Sequence, residues 1–182
     1  MAAPQRRWAA ELLHFWFHRL RPEQRFGSDI DEVLRKRFAS ELQALCNRPA
    51  TEFLDDPHTA LAAIILFDQI PRNIHRGTPL AFACDPLARS ICRAALAMGW
   101  DRGLNREQRQ FLVMPLMHSE QIADQLWSLR YFTALGPRHG AGFARSHHKM
   151  IARFGRYPHR NEVLGRASTE AEKRAVASGF AW

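Results

Sequence analysis

Little in this sequence points to a membrane, a disulfide scaffold or a familiar catalytic motif. The longest uninterrupted apolar run is Ala60 to Phe67, far short of the roughly 18 residues that a membrane-spanning helix needs. The opening MAAPQRRWAAELLHFWFHRL starts basic and turns apolar, as a secretory leader does. Glu11, His14, His18 and Arg19 interrupt the apolar part, and no small-residue cleavage site follows. It reads as a first amphipathic helix. The three cysteines, Cys46, Cys84 and Cys92, are odd in number, and none is spaced as a metal knuckle. All lie in apolar helical contexts, which predicts buried, reduced thiols and a cytoplasmic location. Strand-like alternation is missing throughout. So are a phosphate-cradling glycine loop, a dinucleotide fingerprint, a His-Glu-x-x-His zinc motif and a nucleophile elbow.

What is present is helical. The chain has 182 residues and is 46% hydrophobic, with 12 Phe and 5 Trp. That suits one helical domain spanning 1–182. Trp8, Leu12, Phe15 and Trp16 make one helical stripe. Ile30, Val33, Leu34, Phe38, Leu42 and Leu45 make another, and Leu87, Ile91, Ala94, Ala95 and Met98 a third. Ala60 to Phe67 is apolar on every side, so that helix must be surrounded by others. Asp56-Pro57 and Asp85-Pro86 read as capping acids before a first-turn proline. Asn105 with Gln108, and Thr169 with Glu172, read as capping boxes. Gly77, Gly99 and Gly136 stand where helices end, and Pro71 and Pro115 should end or kink theirs. The expected helices are 6–20, 29–46, 57–70, 86–98, 106–114, 116–135, 142–154 and 170–178.

The net charge is +8. Between Arg138 and Arg174 nine Lys/Arg face three Glu, a local +6. Such a stretch suits an anionic partner, a solvated basic face or internal pairing with carboxylates.

Several ionisable groups fall where helical geometry predicts burial. Asp68 extends the stripe of Leu61, Ile64 and Ile65. Glu120 shares a face with Leu116, Ala123 and Trp127. His147 shares one with Phe143, Met150 and Ile151. A buried carboxylate must find a partner or become neutral. Arginine suits the role because its planar fork grips a carboxylate at two points. Asp68, His118, Glu120 and His147 are therefore expected to converge with Arg72, Arg153, Arg156 and Arg160 in a partly buried polar cluster. One use of such a cluster is structural, pinning the Phe154–Asn161 loop. The other is a cleft in which arginines hold an anion and an imidazole moves a proton. Ser119 beside His118 does not make a dyad, because neighbours on a helix point about 100° apart. It is expected to bond a carbonyl one turn earlier. His118, Glu120 and His147 have the types of a two-His, one-carboxylate metal set, but so many arginines repel a cation. No metal and no cofactor is expected.

Several motifs carry a resemblance over nearly the whole chain. They are Phe15-Trp16-Phe17, the turn from Asp68 to Asn73, Arg76-Gly77-Thr78, Ala81-Phe82-Ala83, Pro115 to Glu120, Asp124-Gln125, His147, Arg153 to Asn161 and Leu164 to Thr169. In these the chain resembles the bacterial family called domain of unknown function 924. The resemblance implies a superhelix of antiparallel helical hairpins similar to tetratricopeptide repeats, and no accepted activity. Arg25-Phe26 stands where many members have Trp-Phe. The segment after Thr169 departs from the usual acid- and Leu-rich end.

Three functions fit. The first is a module binding a small anionic ligand or acidic peptide through Asp68, Arg72, Asn73, Arg153, Arg156, His159, Arg160 and Asn161. The second is an enzyme with His118, Glu120 or His147 in acid–base roles on an anionic substrate. Nucleic-acid binding through the basic C-terminal third ranks last, because no known module is recognisable. Phe180 and Trp182, in an otherwise polar tail, suggest docking within the chain or across a dimer.

Overall fold

Proline and buried side chains decide how the helices run. The structure, a computed structural model, describes residues 6–179; Phe180 and Trp182 lie outside the described residues. The fold is all-α, with no strand among the described residues. The helices are α1 (Arg7–His14), α2 (Asp31–Leu45), α3 (Pro57–Ile64), α4 (Ile70–Ile74), α5 (Asp85–Ala97), α6 (Arg106–His118), α7 (Ile122–Leu135), α8 (Ala141–Phe154) and α9 (Glu170–Ala177). None of the described helices is long and apolar enough to cross a membrane.

They gather into two compact units. The first takes residues up to Arg76 together with Leu80–Pro115, and the second takes Gly77–Pro79 and everything from Leu116 on.

In the first unit α3 packs against α1 and α5. Asp56 caps it as expected, its carboxylate accepting from the His58 and Thr59 amides at 2.8 and 3.0 Å. Every residue from Thr59 to Pro71 is buried, as an all-apolar helix requires. Pro71 does not end this segment. A π-helical turn, Ile65–Gln69, widens the backbone so that the Ile70 amide bonds the Ile65 carbonyl. Pro71 then falls in the first turn of α4, where its missing N–H is no loss. Phe53 meets Phe67 edge-on at 5.1 Å between ring centres, and Trp16 meets Phe111 edge-on at 5.6 Å. Asp85 is not a cap: α5 begins at Asp85 itself, with Cys84 as its uncapped N-cap. Cys92 is buried, whereas Cys46 and Cys84 are only half-buried.

In the second unit α7 and α8 form a hairpin. Gly140 starts α8 at φ +97°, and a Cβ there would stand 3.2 Å from the Phe132 ring. Only glycine accepts both. Met150, Ile151, Tyr157 and Ala175 form a buried core beside Phe154. Thr169 and Glu172 form the expected capping box on α9. Helix α6 continues past Pro115 to His118, and the break falls at 119–121 rather than at Pro115. This removes the helical face on which Glu120 was expected. Ala123, Trp127 and Phe143, expected in the core, are exposed, with Trp127 and Phe143 at 49% and 61%.

Candidate functional site

The residues predicted to form a site divide between the two units, and each group has its own local logic.

In the first unit the π-helical turn carries Asp68, which is fully buried. The Gln69 amide donates to its carboxylate. The Arg72 guanidinium stands 3.3 Å from the same carboxylate and donates to the Asp68 carbonyl. Arg72 also grips Asp85 at two points, 2.8 and 2.9 Å. The pairing of Asp68 with Arg72 was legible from their spacing; Asp85 was missed because it was read as a cap. Asn73 donates to the Asp31 carboxylate at 3.0 Å and to the Gly27 carbonyl at 3.3 Å, so it ties α4 to the start of α2.

The second unit holds the larger group. Ser119 leaves the helix and donates to the Asp124 carboxylate at 2.7 Å, rather than to a carbonyl one turn earlier. Its Oγ also accepts from the Gln121 amide at 3.1 Å. The freed Glu120 carboxylate accepts from the Tyr157 amide at 2.7 Å. It takes both arms of Arg166, at 2.8 and 3.0 Å. Burial pushes the Glu120 carboxyl up. The Arg166 guanidinium, the Tyr157 N–H and the more distant Arg160 outweigh this and hold it below the usual range.

Glu172 is the second anchor. It accepts from the Arg156 Nε at 2.7 Å and from its second arm at 3.0 Å. Arg156 also donates to the Ala167 carbonyl at 2.8 Å. Arg156, above all, and the Thr169 amide hold Glu172 down to about 2. Asn161 donates to the Ser168 hydroxyl at 3.0 Å, and its carbonyl accepts from the Arg166 amide at 2.7 Å. Arg156, Asn161 and Arg166 thus fasten the 155–169 loop onto the unit. Arg153 is exposed and lies over its neighbour Phe154, 4.9 Å from the ring centre, rather than beside a carboxylate.

Rings fill the space inside this strap. Tyr157 is fully buried. Its hydroxyl donates to the Met117 carbonyl and stands 2.7 Å from the Gln125 amide nitrogen. His147 stands edge-on to it and His159 tilted, each 5.5 Å away between ring centres. His118 lies 6.3 Å from His147, and the Arg160 guanidinium 4.5 Å from the centre of the Tyr157 ring. His147 Nδ1 is 2.8 Å from the Phe143 carbonyl. Burial first, then His118, lower its pKa to about 3; Arg160 and His159 add to this, against the Phe143 carbonyl. The ring is therefore neutral at neutral pH. Its proton must sit on Nδ1, which donates to Phe143, and this leaves Nε2 as an acceptor.

Sequence reasoning missed Arg166, Glu172, Tyr157 and Gln125. The capping box flagged Glu172 as a helix start, but not as the partner of Arg156. Among the described residues no three His, Cys, Asp or Glu side chains stand together as a metal site.

Two helical units, one carrying a ring of imidazoles and guanidiniums around a buried tyrosine, define the class of protein. The chain belongs to the family described as bacterial protein of unknown function (DUF924), whose model matches residues 12–179. It is similar to a protein of unknown function from Agrobacterium tumefaciens with a solved structure. The two share 34% identity and a TM-score of 0.88, over 94% of this chain and 97% of that one. No curated protein matches.

Proposed function

We propose that the second unit binds a small anion, a carboxylate or phosphate, against His118, His147, His159 and Arg160. One observation carries this reading. Apart from burial, the influences that depress His147 come from His118, Arg160 and His159, and only a backbone carbonyl opposes them. The Arg160 guanidinium is charged throughout, so an anion beside it is stabilised, and each of the imidazoles around it adds to this when it takes up a proton. Arg156, Asn161 and Arg166 act one layer out, holding the loop that presents His159 and Arg160.

The test is a thermal-unfolding series with inorganic phosphate, succinate and chloride at constant ionic strength. Phosphate or succinate should raise the midpoint in a saturable way, and His159→Asn should weaken the effect at least tenfold in midpoint concentration. Equal responses to all three anions, or an unchanged response in the variant, would refute the site.

A second reading has its own support. Neutral His147 with Nε2 as acceptor is in the tautomer a general base uses. A pKa near 3 makes it a weak base when the site is empty. A bound anionic substrate would raise it, so binding and proton transfer would be coupled.

A further inference from the structure

Helix α7 is built inside out. It buries Asp124, Gln125 and Ser128, and it exposes Ile122, Leu126 and Trp127, each between 43% and 49%. Hydrogen bonds fix that orientation. Asp124 accepts from the Ser119 hydroxyl at 2.7 Å, and the Gln125 amide donates to the Met117 and Ser119 carbonyls at 2.7 and 2.6 Å. Turning the helix to hide its apolar side would strand these polar groups. Ile122 and Leu126 lie one turn apart on the outer side. Trp127 follows on its flank, stacked on Tyr131 at 6.0 Å between ring centres. Arg130 is the one exposed charge on α7. The charge around this face has a single sign. From 121 to 154 Asp124 is the only acid, and it is buried, whereas Arg130, Arg138, Arg145, Lys149 and Arg153 are all exposed. We propose that the α7–α8 hairpin docks on the surface of an anionic lipid bilayer, with Ile122, Leu126 and Trp127 entering the interface between headgroups and acyl chains.

Shape and charge select this occupant. Helix α7 packs against α8 and the turn that joins them, which leaves its outer side convex. A bilayer moulds itself around a convex helix, whereas a rigid partner must bring a matching groove. An apolar helix face with a Trp at its edge and Lys/Arg around it is the pattern of helices that lie in the lipid interface. The long stems of Arg130, Arg145 and Lys149 let their charged ends reach lipid phosphates while the apolar side chains sink deeper. Anionic lipid supplies the opposite charge that the hairpin itself lacks. Lying on a surface in this way needs no membrane-crossing helix. The face also uses none of the residues of the anion site, so the two can be tested separately.

The experiment is co-sedimentation of the full chain with two kinds of vesicle, phosphatidylcholine alone and phosphatidylcholine with phosphatidylglycerol in equal parts, at about 0.15 M salt. The wild-type chain should bind the mixed vesicles at least tenfold more tightly than the neutral ones. A chain of net charge +8 is drawn to anionic lipid by any basic face, so the deciding variants leave the charge unchanged. The double variant Leu126→Ser, Trp127→Ser, checked for native helicity and unfolding midpoint, should bind the mixed vesicles at least tenfold more weakly. Phe26→Ser, which removes an exposed ring from the first unit, should bind as wild type does. Failure of the wild-type chain to sediment with the mixed vesicles would overturn the proposal. So would equal binding by the double variant, which would leave only general charge attraction. If vesicles are ignored while the same two side chains hold a second copy of the chain or single-stranded DNA, the face has a different occupant and the proposal falls.

Discussion

Glu120 and Arg166 face each other through two hydrogen bonds of 2.8 and 3.0 Å, and both also hold Tyr157, one at its amide and the other at its carbonyl. The pair therefore closes a ring of contacts around the backbone of the residue whose side chain fills the second unit's core. Both side chains keep about a quarter of their surface exposed, so screening trims the Coulomb part and the geometry carries more of the effect.

Removing either partner leaves the other half-buried with only its bond to the Tyr157 backbone. Glu120→Gln and Arg166→Ala should each lower stability by about 1–3 kcal/mol. The double variant should cost less than the sum of the two, with a coupling of about 1 kcal/mol. Denaturant unfolding of the four proteins measures this. Strict additivity would show that the two groups do not interact in solution.

Glu172 predicts a pH dependence. Its folded value of about 2 lies below the roughly 4.3 of an unfolded glutamate. The unfolded chain thus binds the proton first as pH falls. The stabilisation by Arg156 and the Thr169 amide is complete above the unfolded value and is lost as pH drops toward 2. Glu172→Gln should be less stable than wild type at pH 6, and the gap should narrow steadily below pH 4. A gap that stays constant from pH 6 to 3 would remove Glu172 as the acid-sensitive anchor.

Arg25 tests the first unit. It is 4% exposed, donates to the Trp16 and Leu20 carbonyls, pairs with Glu107 and lies over the Phe17 and Phe111 rings. Glu107 is 42% exposed, so the pair itself is worth little. The buried carbonyls matter more. Arg25→Ala should cost about 3 kcal/mol, and Glu107→Gln less than about 1 kcal/mol. Arg25→Trp, which keeps a flat group over the two rings, should cost less than alanine. A similar loss for Glu107→Gln and Arg25→Ala in chemical unfolding would place the energy in the ion pair instead.

What the sequence revealed and concealed follows from range. The Asp56 cap, the two capping boxes and the buried run around Ala60–Phe67 are settled by neighbours within a turn or two, and they were legible. The Asp68–Arg72 pair, four residues apart, was legible for the same reason. Glu120 was placed by extending a helix from 116 to 135, because Pro115 looked like the break. The break falls at Ser119 instead. There the serine hydroxyl bonds Asp124, and the Gln125 amide collects the Met117 and Ser119 carbonyls at 2.7 and 2.6 Å. Those side chains compete with the helix in a way that periodicity does not register. The partner of Glu120 lies 46 residues on, in Arg166, and no local pattern announces a contact of that range. The burial of His147 was read correctly, but Phe143 on its face and Trp127 on the face given to Glu120 were taken for core because apolar residues usually are. On α7 and α8 they face outward.

His147 joins stability, pH and ligand in one measurement. Its folded pKa of about 3 lies below the roughly 6.5 of a free imidazole. The unfolded chain takes up this proton first, so stability is full above pH 6.5 and falls as pH drops from there toward 3. The slope is at most about 1.4 kcal/mol per pH unit. This window opens well above that of Glu172, so the two groups can be separated. His147→Gln should flatten the stability profile between pH 6.5 and 5 and leave the steeper loss below pH 4 in place. In the wild-type chain the His147 ring resonances should not titrate between pH 8 and 5. Saturating phosphate offsets the influence of His118, Arg160 and His159 on the ring, so it should bring the onset of titration to higher pH. By linkage, phosphate must then bind more tightly as the pH is lowered. A His147 that titrates near pH 6.5 in the free chain would mean that the ring is open to water. An onset that phosphate leaves unmoved would mean that no anion sits beside it.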